Sequence, residues 1–376
     1  MWRHVASNFL TIAILLLVAA AGVVAWGQRQ YTGPGPLAEP ICFQVRKGAN
    51  LKSVASDLSG RGAIRSGYIL KVGADYQGKA GSIKAGSYLI APNASMAEIV
   101  EAISGTGQST CGTEVNYRIG VQASEMLVRE LDPATNRYVE VAKFDPAEEA
   151  APQAYVDIAD DIDVRFRVTL AEGATSWQVV EALKRAEFLD GEIGTVPPEG
   201  MLAPDSYEVA RGLSRSELLD RMQARQAAVL DALWANRADG LPYASPEEAL
   251  IMASIVEKET GLPEERPRVA SVFINRLKQG MKLQSDPTII YGLPDYDGDI
   301  RRKDILYPHP WNTYVIKGIP PSPIASPGAK AIEAALYPVE SKNLFFVSRN
   351  DGTHVFSETY AEHSANVVRY QLRRGK

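Results

Sequence analysis

The sequence predicts an α+β protein with a single transmembrane helix at its N-terminus, a small β-α-α-β module and a larger mixed α+β domain. Three observations support this architecture. Residues 9–26 carry no charged side chain, and residues 41–90 contain two strand patterns around two short helical patterns. Residues 165–376 combine longer helical patterns with short strand patterns.

The composition is that of a folded protein and disfavours two functional classes. The chain has 376 residues, of which 45% are hydrophobic, and this length suffices for two or three domains. A net charge of -5 argues against a nucleic-acid-binding protein, which usually presents a basic face. The four histidines form no His-Glu-x-x-His motif, which disfavours a zinc hydrolase. No metal and no cofactor is expected.

Residues 9–27 are predicted to be a transmembrane anchor that follows a short cytoplasmic segment, residues 1–8. The 18 uncharged residues reach the lower length limit for a helix that spans a bilayer, and Trp26 suits the membrane interface. The small residues Ala19–Ala21 also fit a cleavage site, so a cleaved signal peptide is the alternative. With an anchor, the larger part of the chain is expected to be extracytoplasmic.

Residues 28–40 are rich in Gly and Pro and are predicted to be a linker before a compact module, residues 41–108. Ile41–Val45 and Lys84–Ile90 have strand patterns, and two short helical patterns lie between them. A strand-helix-helix-strand order of this length resembles a LysM module, a small fold that binds glycans containing N-acetylglucosamine. A spacer without a ligand is the alternative.

Cys42 and Cys111 are the only two cysteines, and they bracket the module. In an oxidising compartment they can form a disulfide that joins the two ends of the module. Two unrelated free thiols are the alternative.

Residues 109–164 are predicted to be an insertion between the module and the larger domain. Their first half is strand-like, and their second half is acidic, rich in Ala and Pro, and expected to be exposed. The larger domain is assigned to residues 165–376, because the spacing of apolar residues around Gly48-Ala49 recurs around Gly173-Ala174 and indicates a second strand-helix unit.

Residues 245–261 are predicted to form a buried helix, around which we expect the larger domain to be organised. Ser245, Pro246 and Glu248 form the helix start, with a Ser-x-x-Glu capping box and Pro at the first helical position. The apolar run of residues 249–256 is too continuous for a surface helix.

Two carboxyl groups, Glu257 and Glu259, occupy the last turn of this helix. Glu259 continues the stripe of Met252, Ile255 and Val256, whereas Glu257 follows a smaller and more polar stripe. A carboxyl in an apolar setting at the negative end of a helix dipole resists ionisation, so it can keep its proton near neutral pH and act as a general acid. The alternative is that both glutamates are solvated residues at a helix end.

Five ordered motifs occur in the larger domain, namely RADGLPY (237–243), ASIVEKET (253–260), VASVFINRL (269–277), LQSDPTIIYG (283–292) and NTY followed by GIPPSPIASPG (312–328). They resemble the endolytic murein transglycosylase family, the MltG or YceG-like proteins. The resemblance extends from about residue 166 to the C-terminus, and the anchor and LysM-like module match the layout of the family. The insertion departs from its shorter members.

The resemblance implies a single-pass lyase of the bacterial inner membrane with a periplasmic catalytic domain. It would cut the β-1,4 bond between N-acetylmuramic acid (MurNAc) and N-acetylglucosamine (GlcNAc) within nascent peptidoglycan strands. The products would end in 1,6-anhydro-MurNAc, and cell-wall synthases are suggested as partners. The family's catalytic glutamate falls on Glu259.

A lyase of this kind needs one acid, because the C6 hydroxyl of MurNAc replaces the attacking water of ordinary two-carboxylate glycosidases. Glu259 would protonate the glycosidic oxygen and then deprotonate that hydroxyl. The residues predicted to bind the sugar are Gln284, Ser285, Asp286, Tyr291, Asn312, Tyr314, Asp205 and Tyr207. A helix cap is the alternative for Asp286, and core packing is the alternative for each tyrosine.

Two rival functions stay open at this point. One is a non-catalytic, anchored scaffold that binds glycan and recruits cell-wall synthases. The other is a hydrolysing muramidase in which Asp286 or Glu257 supplies a second carboxylate, so that the products have reducing ends.

Overall fold

The computed structural model describes residues 2–105, 109–161 and 163–372, and it confirms the α+β class. The helices are α1 (Trp2–Thr32), α2 (Leu51–Gly60), α3 (Gly67–Tyr76), α4 (Met96–Ser104), α5 (Gln153–Val156), α6 (Ser176–Lys184), α7 (Arg215–Ala235), α8 (Pro246–Glu259), α9 (Arg266–Lys278), α10 (Asp286–Gly292), α11 (Arg302–Ile305), α12 (Ala329–Leu336) and α13 (Tyr360–Val367), which a π-helical turn (Val368–Leu372) follows. The strands are β1 (Ile41–Val45), β2 (Gly86–Ile90), β3 (Thr113–Ile119), β4 (Ser124–Asp132), β5 (Arg137–Phe144), β6 (Arg165–Leu170), β7 (Leu189–Asp190), β8 (Ser206–Val209), β9 (Leu213–Ser214), β10 (Phe345–Ser348) and β11 (His354–Ser357).

The chain divides into two compact units, and the division differs from the predicted domain boundary at residue 164. The first unit contains the chain up to Asn116 with Leu127–Phe144 and Ala151–Arg165, and the second contains Tyr117–Met126, Asp145–Ala150 and the chain from Phe166 onward. The predicted insertion is therefore not a separate segment. Its strand-like half forms β3, β4 and β5 of a five-stranded sheet with the order β5-β4-β3-β6-β8.

Helix α1 is longer than the predicted anchor. Its segment Leu10–Thr32 contains an 18-residue window with a mean hydropathy of 2.4. The segment is long and apolar enough to cross a membrane, although a signal sequence would have the same properties. The helix includes residues 2–8 and continues into the predicted linker. Tyr31 and Leu37 are buried in the core of the first unit, so residues 28–40 are not a free linker.

The module has the predicted order of strand, helix, helix and strand. Strands β1 and β2 pair in an antiparallel register with Ile41 opposite Ile90, and α2 and α3 lie between them in the chain. Helix α4 adds its apolar face to the same core, which includes Phe43, Val54, Leu58, Leu70, Tyr88, Ile99 and Ile103. The relationship to LysM modules and their glycans stays a prediction.

Cys42 and Cys111 form a disulfide, with Cα atoms 5.9 Å apart. The bond links β1 to the residues before β3, which confirms the first of the two alternatives for the cysteines. Because this bond joins residues 69 positions apart, it removes considerable loop-closure entropy from the unfolded chain.

The double substitution Cys42→Ser and Cys111→Ser is expected to lower the free energy of unfolding of the first unit by about 4 kcal/mol. Urea unfolding followed by circular dichroism would measure this loss. The unsubstituted protein unfolded in the presence of a reductant is the control, and its midpoint should approach that of the variant. Equal midpoints for the oxidised protein and the variant would contradict a stabilising disulfide.

The second unit is built around α8, which packs against α7, α9, α10 and α12. All of residues 249–256 are buried, as predicted. Ser254, the single polar residue in this run, donates its hydroxyl to the Ile251 carbonyl at 2.7 Å and accepts the Ile324 N–H at 3.0 Å. The buried hydroxyl thus both donates and accepts a hydrogen bond.

The two ends of α8 differ in detail from the predicted helix. Ser245 accepts the Glu248 N–H, but the Glu248 carboxylate accepts the N–H of Ala244 at 2.6 Å, so the predicted capping box is only half formed. The helix ends at Glu259, and Thr260 continues in an extended conformation. This early end leaves Glu259 in the final helical position.

Candidate active site

Glu259 lines a cavity of about 360 Å³ in the second unit. Burial raises the pKa of Glu259 from 4.5 to about 7. A hydrogen bond from Ser285 and the charge of Arg276 oppose the rise in pKa, whereas the negative charge of Asp286 adds to it. A substantial fraction of Glu259 is therefore protonated at neutral pH, as a general acid requires.

Ser285 holds one oxygen of the Glu259 carboxyl, since its hydroxyl donates to Oε1. Ser285 is itself fixed, because its N–H donates to the Thr313 hydroxyl at 2.9 Å and its carbonyl accepts the Thr288 hydroxyl at 2.6 Å. In the part of the chain that the structure describes, Ser285 is the only hydrogen-bond partner of the Glu259 carboxyl. Among the described residues, Oε2 therefore has no hydrogen-bond donor.

Gln284, which precedes this serine, has a left-handed backbone conformation with φ of 54°. Such a conformation is uncommon for a residue other than Gly and persists only where its surroundings hold it. Here the Gln284 N–H donates to the Thr313 carbonyl at 3.2 Å, and the side-chain Oε1 accepts from Arg276 at 3.2 Å. The turn places Gln284 in the cavity wall and Ser285 behind it, against Glu259.

Arg276 is the cation of the cavity, and the sequence interpretation did not single it out. Its guanidinium donates to the Leu344 carbonyl and to the Leu283 carbonyl, each at 2.7 Å. These bonds hold a positive charge beside Glu259 without a direct ion pair. An Arg is common in the last turn of a helix such as α9, because its charge complements the helix dipole. Its position in the sequence therefore did not indicate that it lines a site.

Asp286 and Tyr314 form the second polar side of the cavity. The Tyr314 hydroxyl donates to Asp286 Oδ1 at 2.7 Å. Burial and the Asp286 charge raise the pKa of Tyr314, so its hydroxyl keeps the proton that it donates. Ser285 is the N-cap residue of α10 and Asp286 is the first residue inside the helix, so the helix-cap alternative for Asp286 is wrong. Asp286 lines the cavity.

Aromatic side chains from the C-terminal segment also line the cavity. These side chains, here called the aromatic wall, are Phe345 and Phe346 of β10 and Tyr360 and His363 of α13. Phe345 stacks on His363 at 5.1 Å between ring centroids and meets Tyr360 edge-on at 6.0 Å. Burial and the nearby Arg276 lower the pKa of His363, so the imidazole is neutral at pH 7. The sequence predicted only a hairpin and a helix here.

Comparison with known sequences assigns the chain to a family. A profile of the YceG-like family matches residues 43–149 and 136–369. The chain belongs to the YceG-like family.

Three known proteins illustrate how far this YceG-like chain resembles its relatives. It is 39% identical over 126 residues to an endolytic murein transglycosylase of Bacillus subtilis (strain 168), covering 34% of this chain and 35% of the relative. It is 31% identical over 179 residues to one of Streptococcus pneumoniae, covering 46% of this chain and 32% of the relative. The chain thus spans about a third of the length of these curated relatives. A crystal structure of a YceG-like protein from Listeria monocytogenes has a TM-score of 0.47 and 22% identity, covering 87% of this chain and 98% of that one.

Of the sugar-binding residues that the sequence predicts in this YceG-like chain, Asn312 is fully buried. Its side-chain amide donates to the carbonyls of Asp304, Ile305 and Tyr307, and its Oδ1 accepts the Tyr314 N–H at 2.9 Å. Asn312 therefore lies outside the cavity lining and holds the loop that carries Tyr314.

Three further predicted residues, Tyr291, Asp205 and Tyr207, also lie outside the cavity lining. The Tyr291 hydroxyl donates to Glu199, and its ring meets Trp311 edge-on. Asp205 forms an ion pair with Arg225, and the Tyr207 hydroxyl donates to the Ala203 carbonyl at 2.7 Å. Core packing, the alternative reading for the tyrosines, fits Tyr207, which is buried.

Glu257, the other acid at the end of α8, has a structural position in the YceG-like chain. Its Oε1 pairs with Arg266 at 2.9 Å, and its Oε2 accepts the Gly328 N–H at 2.9 Å. The side chains of Glu257 and Arg266 are only 5% and 7% exposed. Burial raises the pKa of Glu257, while Gly328 and Arg266 oppose the rise. The alternative of two solvated glutamates is therefore wrong.

Proposed function

We propose that this protein is a membrane-anchored endolytic lytic transglycosylase that cuts the β-1,4 bond between MurNAc and GlcNAc within peptidoglycan strands. The family assignment and the names of the relatives support the reaction class. The observation that carries the proposal is Glu259, a carboxyl with a pKa of about 7 that lines a cavity together with polar and aromatic side chains. The proposed reaction leaves glycan strands that end in 1,6-anhydro-MurNAc.

In the first step, the protonated Glu259 donates its proton from Oε2 to the glycosidic oxygen. The bond between C1 of MurNAc and that oxygen breaks, GlcNAc leaves with the new hydroxyl, and positive charge develops on the MurNAc ring. Ser285 keeps its hydrogen bond to Oε1 and so fixes the orientation of the carboxyl. The proposal gives the Asp286 carboxylate, which accepts the Tyr314 hydroxyl, the role of stabilising the positive ring electrostatically.

In the second step, the ionised Glu259 accepts the proton of the C6 hydroxyl of MurNAc. The C6 oxygen attacks C1 and closes the 1,6-anhydro ring, so no water enters the products. Glu259 regains its proton, and the enzyme is ready for another cycle. Aromatic faces bind sugar rings by stacking, and the aromatic wall supplies such faces in the cavity lining.

The reaction is expected to lose rate as the pH rises through about 7, because the acid form of Glu259 is lost there. The sign follows from a pKa that is raised above its ordinary value, so the proton is bound below pH 7 and released above it. The rate of strand cleavage measured from pH 5 to pH 9 would test this. The variant Asp286→Asn lacks a charge that raises the Glu259 pKa. In this variant, the descending limb of the plot of cleavage rate against pH should move to lower pH. A limb that does not move would show that Asp286 has no effect on the acid.

The decisive experiment is digestion of purified glycan strands by the full-length protein in detergent, followed by mass spectrometry of the products. Anhydro ends would support the lyase. Reducing ends, one water heavier, would favour the hydrolysing muramidase, for which Asp286 supplies a second carboxylate in the same cavity. Absence of cleavage on strands that a control enzyme digests would favour the glycan-binding scaffold.

The proposed location is the bacterial inner membrane, with α1 as a single-pass anchor and the second unit in the periplasm. The hydrophobic segment Leu10–Thr32 supports the anchor, and the Cys42–Cys111 disulfide suits an oxidising compartment. Peptidoglycan strands are the proposed substrate, and the module of residues 41–108 is proposed as a second glycan contact. Cell-wall synthases are the partner class that fits an enzyme acting on nascent strands.

A further inference from the structure

Helix α3 of the first unit exposes an aromatic and apolar stripe. Tyr68, Val72 and Tyr76 are spaced four residues apart, so they lie on one face of the helix. Their exposed fractions are 74%, 50% and 93%. The opposite face carries Leu70 and Ala74, which are buried in the core of the module. Helix α3 is therefore apolar on two sides, and only the side with Leu70 and Ala74 packs in the core of the first unit.

The same helix is fastened to the end of α1. The Tyr31 ring packs against Gly73 of α3, where a Cβ atom would overlap the ring. The Tyr31 hydroxyl donates to Gln77 Oε1 at 3.0 Å. The residues after α1 are fixed as well, because Leu37 is buried and its carbonyl accepts the Asn93 N–H at 2.8 Å. These contacts join α1 to the module without a flexible segment.

The length of α1 sets the height of this junction above a membrane. At 1.5 Å per residue, a hydrocarbon core of about 30 Å takes about 20 residues. Counted from Phe9, the first residue of the uncharged apolar stretch, the core ends at Gln28, directly before Arg29. Tyr31 is three residues further on, about 4.5 Å along the axis, and thus within a headgroup layer of about 5–8 Å. Gly73, in contact with Tyr31, lies at the same level.

Tyr76 is three residues from Gly73 on the same helix, a rise of about 4.5 Å. A tyrosine that is 93% exposed therefore lies within one helical turn of the headgroup layer. Tyr side chains are enriched at this level because the ring is apolar and the hydroxyl is polar.

We propose that α3 is an interfacial helix and that its exposed stripe, Tyr76 first, lies among the lipid headgroups. The partner is the bilayer surface itself. This proposal rests on the proposed role of α1 as a membrane anchor. Its consequence is that the module is held on the membrane in one orientation instead of moving on a tether.

The test is a measurement of membrane depth by spin labelling. The full chain carrying Tyr76→Cys is labelled and reconstituted in vesicles of phosphatidylethanolamine and phosphatidylglycerol. Cys42 and Cys111 are in a disulfide and do not react with the label. The matched control is Val139→Cys on β5 of the same unit, an apolar residue that is also exposed. Neither substitution removes a buried side chain, so both variants should fold.

We expect the label at residue 76 to collide more often with oxygen, which partitions into lipid, than with a water-soluble nickel complex, and the label at residue 139 to show the reverse. Equal ratios at the two positions would overturn the proposal. Extraction of the chain from the vesicles by alkaline carbonate would refute the anchor, and the interfacial helix with it. A chain that resists extraction while residue 76 stays aqueous would refute only the interfacial helix.

A second variant tests the part that Tyr31 plays. Adding Tyr31→Ala to the Tyr76→Cys chain removes the ring that joins α1 to α3. The label at residue 76 is then expected to shift toward the aqueous ratio, while the label at residue 139 does not shift. An unchanged depth at residue 76 would overturn the role of Tyr31 in holding α3 at the surface.

Discussion

Replacing Glu259 with Gln is expected to reduce strand cleavage by about 10²- to 10⁴-fold, the range that a positioned general acid contributes. Gln keeps the size of the side chain and an oxygen that can accept the Ser285 hydroxyl. It has no proton to donate to the glycosidic oxygen. The rate of formation of anhydro ends, measured at saturating strand concentration and pH 6, would give the loss in kcat.

The matched control is Ser285→Ala, which removes a hydrogen bond that lowers the Glu259 pKa. This variant should keep the acid and therefore much of the activity, with the descending limb of its pH profile moved to higher pH. If Glu259→Gln retained full activity, the proton would have to come from another carboxyl, and Asp286 is the other one in the cavity lining.

Glu259→Gln is also expected to stabilise the protein at alkaline pH. The folded-state pKa of about 7 lies above the ordinary value of 4.5, so the stability of the unsubstituted protein falls as the pH rises through 7. Gln has no charge to bury, and the gain above pH 8 should be about 1–3 kcal/mol. Thermal unfolding at pH 6 and pH 8.5 would measure it, and equal stability at both values would argue against a buried carboxyl.

Replacing Glu257 with Ala is expected to give the opposite result, a loss of stability of about 3–5 kcal/mol. The substitution leaves the Arg266 guanidinium buried beside only one carboxylate, the half-exposed Glu172. It also removes the acceptor of the Gly328 N–H, where α12 begins. Because α12 packs on α8 and α9, the loss should reach the core of the second unit.

Chemical denaturation of the second unit's core would measure this loss. The control is the double variant Glu257→Met and Arg266→Met, which removes both charges and should be much less destabilised, since well-packed apolar residues often replace a buried ion pair at little cost. A change below about 1 kcal/mol in Glu257→Ala would mean that this pair behaves as an exposed one.

The two glutamates are thus expected to have separable roles although one residue lies between them. On a helix, positions two apart point in different directions, so Glu259 faces the cavity while Glu257 faces the starts of α9 and α12. This arrangement predicts that Glu259→Gln loses activity without losing stability, and that Glu257→Ala loses stability without a direct loss of activity.

Local patterns predicted a large part of the fold. The buried helix α8, the apolar helix at the N-terminus and the strand-helix-helix-strand module follow from periodicity and from start and stop signals, which depend on neighbouring residues. The preference for Glu259 over Glu257 had the same basis, because the stripe that a residue continues decides which side of the helix it occupies.

The tertiary structure alone decided which polar residues face the cavity. Within the motif segments, Gln284, Asp286 and Tyr314 line it, whereas Asn312 is turned inward to hold a loop. No sequence spacing distinguishes these cases, because they depend on contacts between segments far apart in the chain. Phe345 of the aromatic wall contacts Arg276 only because β10 and α13 pack near α9. Tyr31, in the predicted linker, is buried in the module because Gly73 has no side chain and leaves room for its ring. Burial and partners at such positions are properties of the packed chain, so local sequence could not reveal them.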